Sequence, residues 1–298
     1  MDYSNPSLIT SIENEVLVLR HIGNHPSILH CYGFYTTKDT FNIVMDIATY
    51  GSLTTVLYDK INYSSLPIFV TLMWAYSITN AVDHIHSKGI KHRDIKCENI
   101  LLCDKFKLKL SDFGLSKEAN AESKNSFVGT TGFQAPEITA GKGSFMASDI
   151  FSLAMTFVQL FFRNHPNNDN HYDKRINKMC DECLATRKDF KANDVIRMRD
   201  LLLDCVKFNF SEKFFDPNIR PTAGEVKRRV AEILHNNCGY DDNIIIEQIE
   251  KFEKESSSTN ALPSPVKSNA LPDQNVFFKS FQVCFLNNFD DNDFITIL

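Results

Sequence analysis

Between Ile90 and Gly114 the chain reads I-K-H-R-D-I-K-C-E-N-I-L-L-C-D-K-F-K-L-K-L-S-D-F-G, and this stretch restricts the fold more than any other. Two short apolar runs, Ile100-Leu101-Leu102 and Phe106 to Leu110, flank the turn Cys103-Asp104-Lys105 and predict a β-hairpin. Such a hairpin folds Asp112 back towards Asn99. It therefore gathers two hard oxygen donors near the polar run His92-Arg93-Asp94 and Lys96.

The order H-R-D-x-K-x-x-N followed by D-F-G resembles the catalytic core of the protein kinase family. Either tripeptide alone is an ordinary loop sequence; both in register are not. Phosphoryl transfer needs a base to orient the hydroxyl, metal ligands for the nucleotide phosphates and a cation to offset developing charge. The resemblance implies that Asp94 is the base and Lys96 the cation. It makes Asn99 and Asp112 the magnesium ligands, with ATP and Mg2+ as cofactors. In Asp94-Ile95-Lys96-Cys97-Glu98-Asn99 a lysine stands two residues after the base, as in Ser/Thr-type kinases, where tyrosine kinases carry an A-A-R-type loop. Protein substrates with Ser or Thr acceptors are expected.

The same resemblance places further parts along the chain. Ser11 to Ile22 repeats apolar residues at helical spacing and looks like the family's glutamate-bearing helix, with Glu15 at the glutamate position. Ile28 to Phe34 and Phe41 to Asp46 read as strands joined by the turn Thr36 to Thr40. They make Met45 the gatekeeper and Asp46-Ile47-Ala48 the hinge whose backbone meets adenine, with Leu101 a further nucleotide contact. Ser65-Leu66-Pro67 begins a long helix with Leu72, Tyr76, Thr79, Val82 and His86 on one face. After Gly114, Leu115 to Glu137 resembles an activation segment closing on Ala135-Pro136-Glu137. Thr130 matches the threonine that bonds the base and its lysine. Ser126 sits at the usual activating phosphosite, with Ser123, Thr130 and Thr131 as alternatives, and phosphate there could pair with Arg93 and Lys117 after an upstream kinase acts. Asp149 is expected to open the apolar helix Ile150 to Phe162 and to anchor the catalytic loop. Here D-I-F-S-L-A replaces the usual D-x-W-S-x-G. Arg220 matches the arginine paired with Glu137.

Composition narrows the class. The 298 residues are 43% hydrophobic, enough for a sizeable core. A net charge of −5 gives no broad basic surface, so neither nucleic acid nor an anionic membrane is an expected partner. Eight scattered cysteines suit a reducing cytoplasm, or the nucleus, and Cys180-x-x-Cys183 has no second pair at zinc spacing. No secretory signal is visible at Met1 to Ser4. The longest apolar run, Ile150 to Phe162, has 13 residues. A membrane span needs about 20.

The expected fold is α+β: a protein kinase-like domain over residues 1–240, with a smaller-lobe remnant (1–48) and a complete, mostly helical larger lobe (49–240). A short amphipathic helix (241–255), a Ser/Pro/Asn-rich linker (256–275) carrying Asn-Ala-Leu-Pro twice, and an aromatic, acidic tail (276–298) follow. Only 14 residues precede Glu15, and they contain no glycine, lysine or arginine. The glycine-rich loop and the strand-three lysine have no counterpart, so the expectation is an N-terminally incomplete Ser/Thr kinase. The alternative is a catalytically impaired pseudokinase acting as a scaffold.

Overall fold

The computed structural model describes residues 6–36, 41–58, 66–119, 129–166, 171–208, 216 and 219–238. The expected helix, linker and tail beyond residue 240, and Ser126, lie outside the described residues.

Helix α1 spans Pro6–Ile22, starting five residues before the expected Ser11 because Pro6 fits a first helical turn. Val16, Leu19 and Ile22 face the core, as the periodicity required. Gly23, at φ 72°, stops the helix by donating to the Leu19 carbonyl at 3.1 Å.

Strands β1 (Cys31–Thr36) and β2 (Phe41–Met45) pair antiparallel from Cys31–Met45 to Thr36–Phe41, with a bulge between Cys31 and Gly33. Neither shows a further strand partner among the described residues. The predicted start of β1 at Ile28 was too early. Ile28 bridges Leu110 in parallel, Leu29 N–H donates to the Leu110 carbonyl at 2.9 Å, and Leu110 N–H donates to the Ser27 carbonyl at 2.9 Å. Residues 27–29 thus belong to the edge of the central hairpin.

Helix α2 (Leu53–Tyr58) leads towards the 20-residue α3 (Ile68–Ser87), which follows Pro67 as expected. Strand β3 is the short Ile90–Lys91. The hairpin is β4 (Ile100–Leu102) and β5 (Leu108–Leu110), in the register Ile100–Leu110, Leu101–Lys109 and Leu102–Leu108. The second strand is two residues shorter than expected. Phe106 closes a 3₁₀ turn at φ 53°, and its carbonyl accepts the Trp74 indole N–H at 3.0 Å. Strand β6 (Lys117–Glu118) pairs with β3.

Helix α4 (Pro136–Thr139) is followed by α5 (Met146–Phe162), α6 (Tyr172–Thr186), α7 (Ala192–Cys205) and α8 (Ala223–Cys238). The α5 helix begins before the predicted Ile150. Ser148 Oγ accepts the Phe145 N–H at 3.1 Å, which places Asp149 inside the first turn. Nearly every α5 side chain from Ala147 to Phe161 is buried, so this is the axis of the helical part. Cys180 and Cys183 are buried one turn apart on α6, and burial pushes the Cys180 thiol up to about 12. The architecture is α+β and mostly helical, with α1, β1 and β2 forming the smaller part.

Candidate active site

The loop from His92 to Asn99 has little regular structure of its own and is fixed by neighbours. Asp149 Oδ2 accepts the His92 N–H and Oδ1 accepts the Arg93 N–H, each at 2.8 Å. His86 Nε2 lies 2.9 Å from Asp149 Oδ2. Burial alone would raise the Asp149 pKa, but the His86 bond, the neighbouring His92 ring and the Arg93 N–H together hold it below the usual carboxylate value. Asp149 can grip two adjacent N–H groups because Arg93 adopts φ 75°, a costly backbone state for a non-glycine residue.

Asp94 then emerges into a closed network. Its Oδ1 accepts the Thr130 hydroxyl at 2.9 Å, and its Oδ2 lies 2.8 Å from Lys96 Nζ and accepts Asn99 Nδ2 at 3.0 Å. Lys96 Nζ also donates to Thr130 Oγ1 at 2.5 Å. Residues separated by up to 36 positions thus converge on one carboxylate. Gly129 makes the approach possible: at φ 105°, a Cβ there would stand 2.9 Å from the Arg93 carbonyl oxygen.

The hairpin carries Asp112 to the same place. Ser111 N–H and Ser111 Oγ donate to the Asn99 carbonyl at 2.8 and 2.9 Å, and His92 Nε2 is 3.1 Å from the Ser111 carbonyl. Phe113 is buried edge-on to His92, with ring centres 4.8 Å apart. Asp112 is exposed and strained at φ 61°. The Gly114 Cβ position lies 3.4 Å from Asp112 Oδ1 and 3.6 Å from Glu15 Oε2, so the helix glutamate faces the D-F-G turn.

Asn99 commits its Nδ2 to the Asp94 carbonyl at 2.8 Å and to the Asp94 carboxylate, leaving Oδ1 as acceptor. Asn99 Oδ1 and Asp112 are a sparse hard-oxygen pair. This fits magnesium, which keeps waters and substrate phosphates in its shell. Among the described residues no group of three His, Cys, Asp or Glu gathers into an all-protein cage.

Met45 is half-buried at the end of β2 and packs on the core. In the crossing segment that follows, neither the Asp46 carbonyl nor the Ala48 N–H is used in a hydrogen bond among the described residues. Leu101, half-buried in β4, lies opposite Lys109.

The protein kinase domain family model matches residues 2–230. The chain belongs to the protein kinase family. It is 34% identical over 168 residues to mitogen-activated protein kinase kinase kinase mom-4 of Caenorhabditis elegans, covering 55% of this chain and 31% of that protein. It is 25% identical over 266 residues to cell division control protein 7 of Schizosaccharomyces pombe, covering 89% and 24%. It is 33% identical over 190 residues to CBL-interacting serine/threonine-protein kinase 10 of Arabidopsis thaliana, covering 62% and 37%. The chain thus spans roughly a quarter to two fifths of the length of these relatives. Protein kinases use ATP with a divalent metal. No described helix is long and apolar enough to cross a membrane.

Three residues around this cluster went unassigned from sequence. Lys91 is buried and donates to the Ala119 and Ser144 carbonyls at 3.1 and 3.2 Å, joining the strand before His92 to the end of β6 and to the loop before α5. Burial, then Arg93, pushes its pKa down. The contacts of Gly129 and Lys109 are equally silent in sequence. A glycine directly before Thr130 was the one available signal.

Proposed function

We propose that this chain is a protein serine/threonine kinase that transfers the γ-phosphoryl group of ATP to Ser or Thr hydroxyls of protein substrates. The observation that carries this reading is the single carboxylate of Asp94 held by Thr130, Lys96 and Asn99. Such a carboxylate is oriented before substrate arrives, which is what a base near an incoming hydroxyl requires. Asp94 takes the hydroxyl proton as the oxygen bonds to the γ-phosphorus and the ADP oxygen leaves. Lys96, already beside Asp94, offsets charge on the transferred group. Thr130 fixes the spacing of these two. Asn99 Oδ1 and the Asp112 carboxylate would hold Mg2+, which neutralises phosphate charge when bound. The Asp46 carbonyl and Ala48 N–H offer an acceptor–donor pair to adenine, with Met45 and Leu101 as apolar neighbours.

Ser126 would be the activating phosphosite, modified by an upstream kinase. Arg93, which donates to the Leu115 carbonyl at 3.2 Å, and the exposed Lys117 supply positive charge near the start of that segment. The expected compartment is the cytoplasm or nucleus.

The test is transfer of labelled phosphate from ATP to a mixed Ser/Thr peptide library. Asp94→Asn should lower turnover by about 10²–10⁴-fold while nucleotide still binds. Asp112→Ala should weaken Mg2+-dependent ATP binding itself. Wild-type protein that binds ATP·Mg2+ and transfers nothing would favour the scaffold alternative.

A further inference from the structure

The segment that crosses from β2 to α2 is anchored at both ends and open in the middle. At its far end Tyr50 N–H donates to the Leu102 carbonyl at 3.0 Å, and Leu102 N–H donates to the Gly51 carbonyl at 2.9 Å. Thr49 Oγ1 adds a bond of 2.7 Å to Asp104 Oδ1. At the near end the Asp46 N–H donates to the His30 carbonyl at 3.0 Å, and the Asp46 side chain adds the remaining ties. Asp46 Oδ2 accepts the His30 N–H at 3.1 Å and Lys109 Nζ at 2.5 Å, while Oδ1 accepts the Tyr32 hydroxyl at 2.9 Å. Between these anchors lie the uncommitted Asp46 carbonyl and Ala48 N–H.

We propose that the Asp46 carboxylate and the Lys109 ammonium form a clamp that fixes the nucleobase-facing backbone of residues 46–48, so that both are positioning residues for adenine. This rests on the kinase reading above. Lys109 is suited to the task because it stands on β5, opposite Leu101 and three residues before Asp112. One strand therefore sets the adenine edge and the metal-side carboxylate together. Each side chain of the pair is only 18% exposed, so water screens the contact less than it would a surface pair. Without Lys109 the Asp46 carboxylate keeps its contacts to His30 and Tyr32 but loses its tie to the hairpin, and residues 46–48 gain freedom relative to β4.

The test uses the full chain and its Lys109→Met and Lys109→Arg variants. Calorimetry compares ATP with inorganic tripolyphosphate, each with Mg2+, and amide hydrogen exchange follows residues 46–51. Lys109→Met should weaken ATP about fivefold and leave tripolyphosphate unchanged, with faster exchange at 46–51. Lys109→Arg should restore both. Asp46→Asn should act in the same direction as Lys109→Met. Equal losses for ATP and tripolyphosphate would mean general damage and would overturn the clamp, as would unchanged exchange. Should the wild-type chain bind no ATP, the kinase reading fails by itself. The clamp is then decided by exchange alone, faster in Lys109→Met if it exists and unaltered if it does not.

Discussion

Glu137 and Arg220 lie 83 positions apart and meet with no solvent exposure, through two parallel hydrogen bonds of 2.8 and 2.9 Å. Ser148 donates to the same glutamate at 2.7 Å, and the guanidinium lies over the Phe151 ring at 5.2 Å from its centre. Phe151, the aromatic residue of D-I-F-S-L-A, supplies the flat face for that contact.

Removing one member leaves the other charged and dry. Arg220→Met should lower stability by about 3–5 kcal/mol. Urea titration followed by fluorescence of the sole tryptophan, Trp74, which is buried, reads this directly. Glu137→Met combined with Arg220→Met should recover much of the loss, because no lone charge remains buried. A double variant as unstable as the single one would contradict this account.

Asp149→Asn keeps the shape but turns one acceptor into a donor facing a backbone N–H, at either His92 or Arg93. A hydrogen bond to a charged group is worth about 1.5–3 kcal/mol, and stability should fall by that order. Turnover should fall while the KM for ATP stays nearly constant, since the Asp149 carboxylate bonds the His92 and Arg93 N–H groups and neither is among the groups proposed to meet the nucleotide. Steady-state kinetics on ATP and peptide separates the two effects.

Gly129→Ala should be costly for its size. The added Cβ would press on the Arg93 carbonyl at 2.9 Å, in a φ region where side chains are strained. Relief moves the chain away from Asp94 and takes Thr130 with it. We expect about 1–3 kcal/mol of destabilisation and a turnover loss close to that of Thr130→Ala. Full activity in Gly129→Ala would show that Thr130 need not hold Asp94.

The catalytic loop, the hairpin and the D-F-G turn were legible because each residue there is restricted by type and spacing. Asp94, Lys96, Asn99 and Thr130 do meet, and Asp149 and Arg220 hold the partners their positions implied. What sequence missed depends on contacts without a local pattern. Ile28 reads as a β1 residue from the apolar run before the polar turn, yet its partner is Leu110, 82 positions on. Phe106 reads as strand by composition, but the Trp74 indole holds it in a turn. Lys91 and Lys109 carry no signal in the sequence, and each is held by distant acceptors. An acceptor brought in by tertiary packing leaves no periodicity to read.

The junction between α1 and α3 should make stability depend on mildly acidic pH. His25 stacks on His84 with ring centres 4.5 Å apart, and its Nδ1 accepts the Ser27 N–H at 3.2 Å. Burial, then His84 and Lys227, lowers the His25 pKa from 6.5 to about 4, with Asp83 pulling the other way. Folding therefore favours the neutral ring. Its contribution is complete above about pH 6.5, where the unfolded ring is also neutral, and is lost progressively as pH falls towards 4. His25→Asn keeps an acceptor for Ser27 N–H and cannot titrate. Urea midpoints measured between pH 7.5 and 4 should fall less steeply in His25→Asn than in wild type. Parallel curves would place the pH sensitivity elsewhere and leave the stacked pair with a packing role alone.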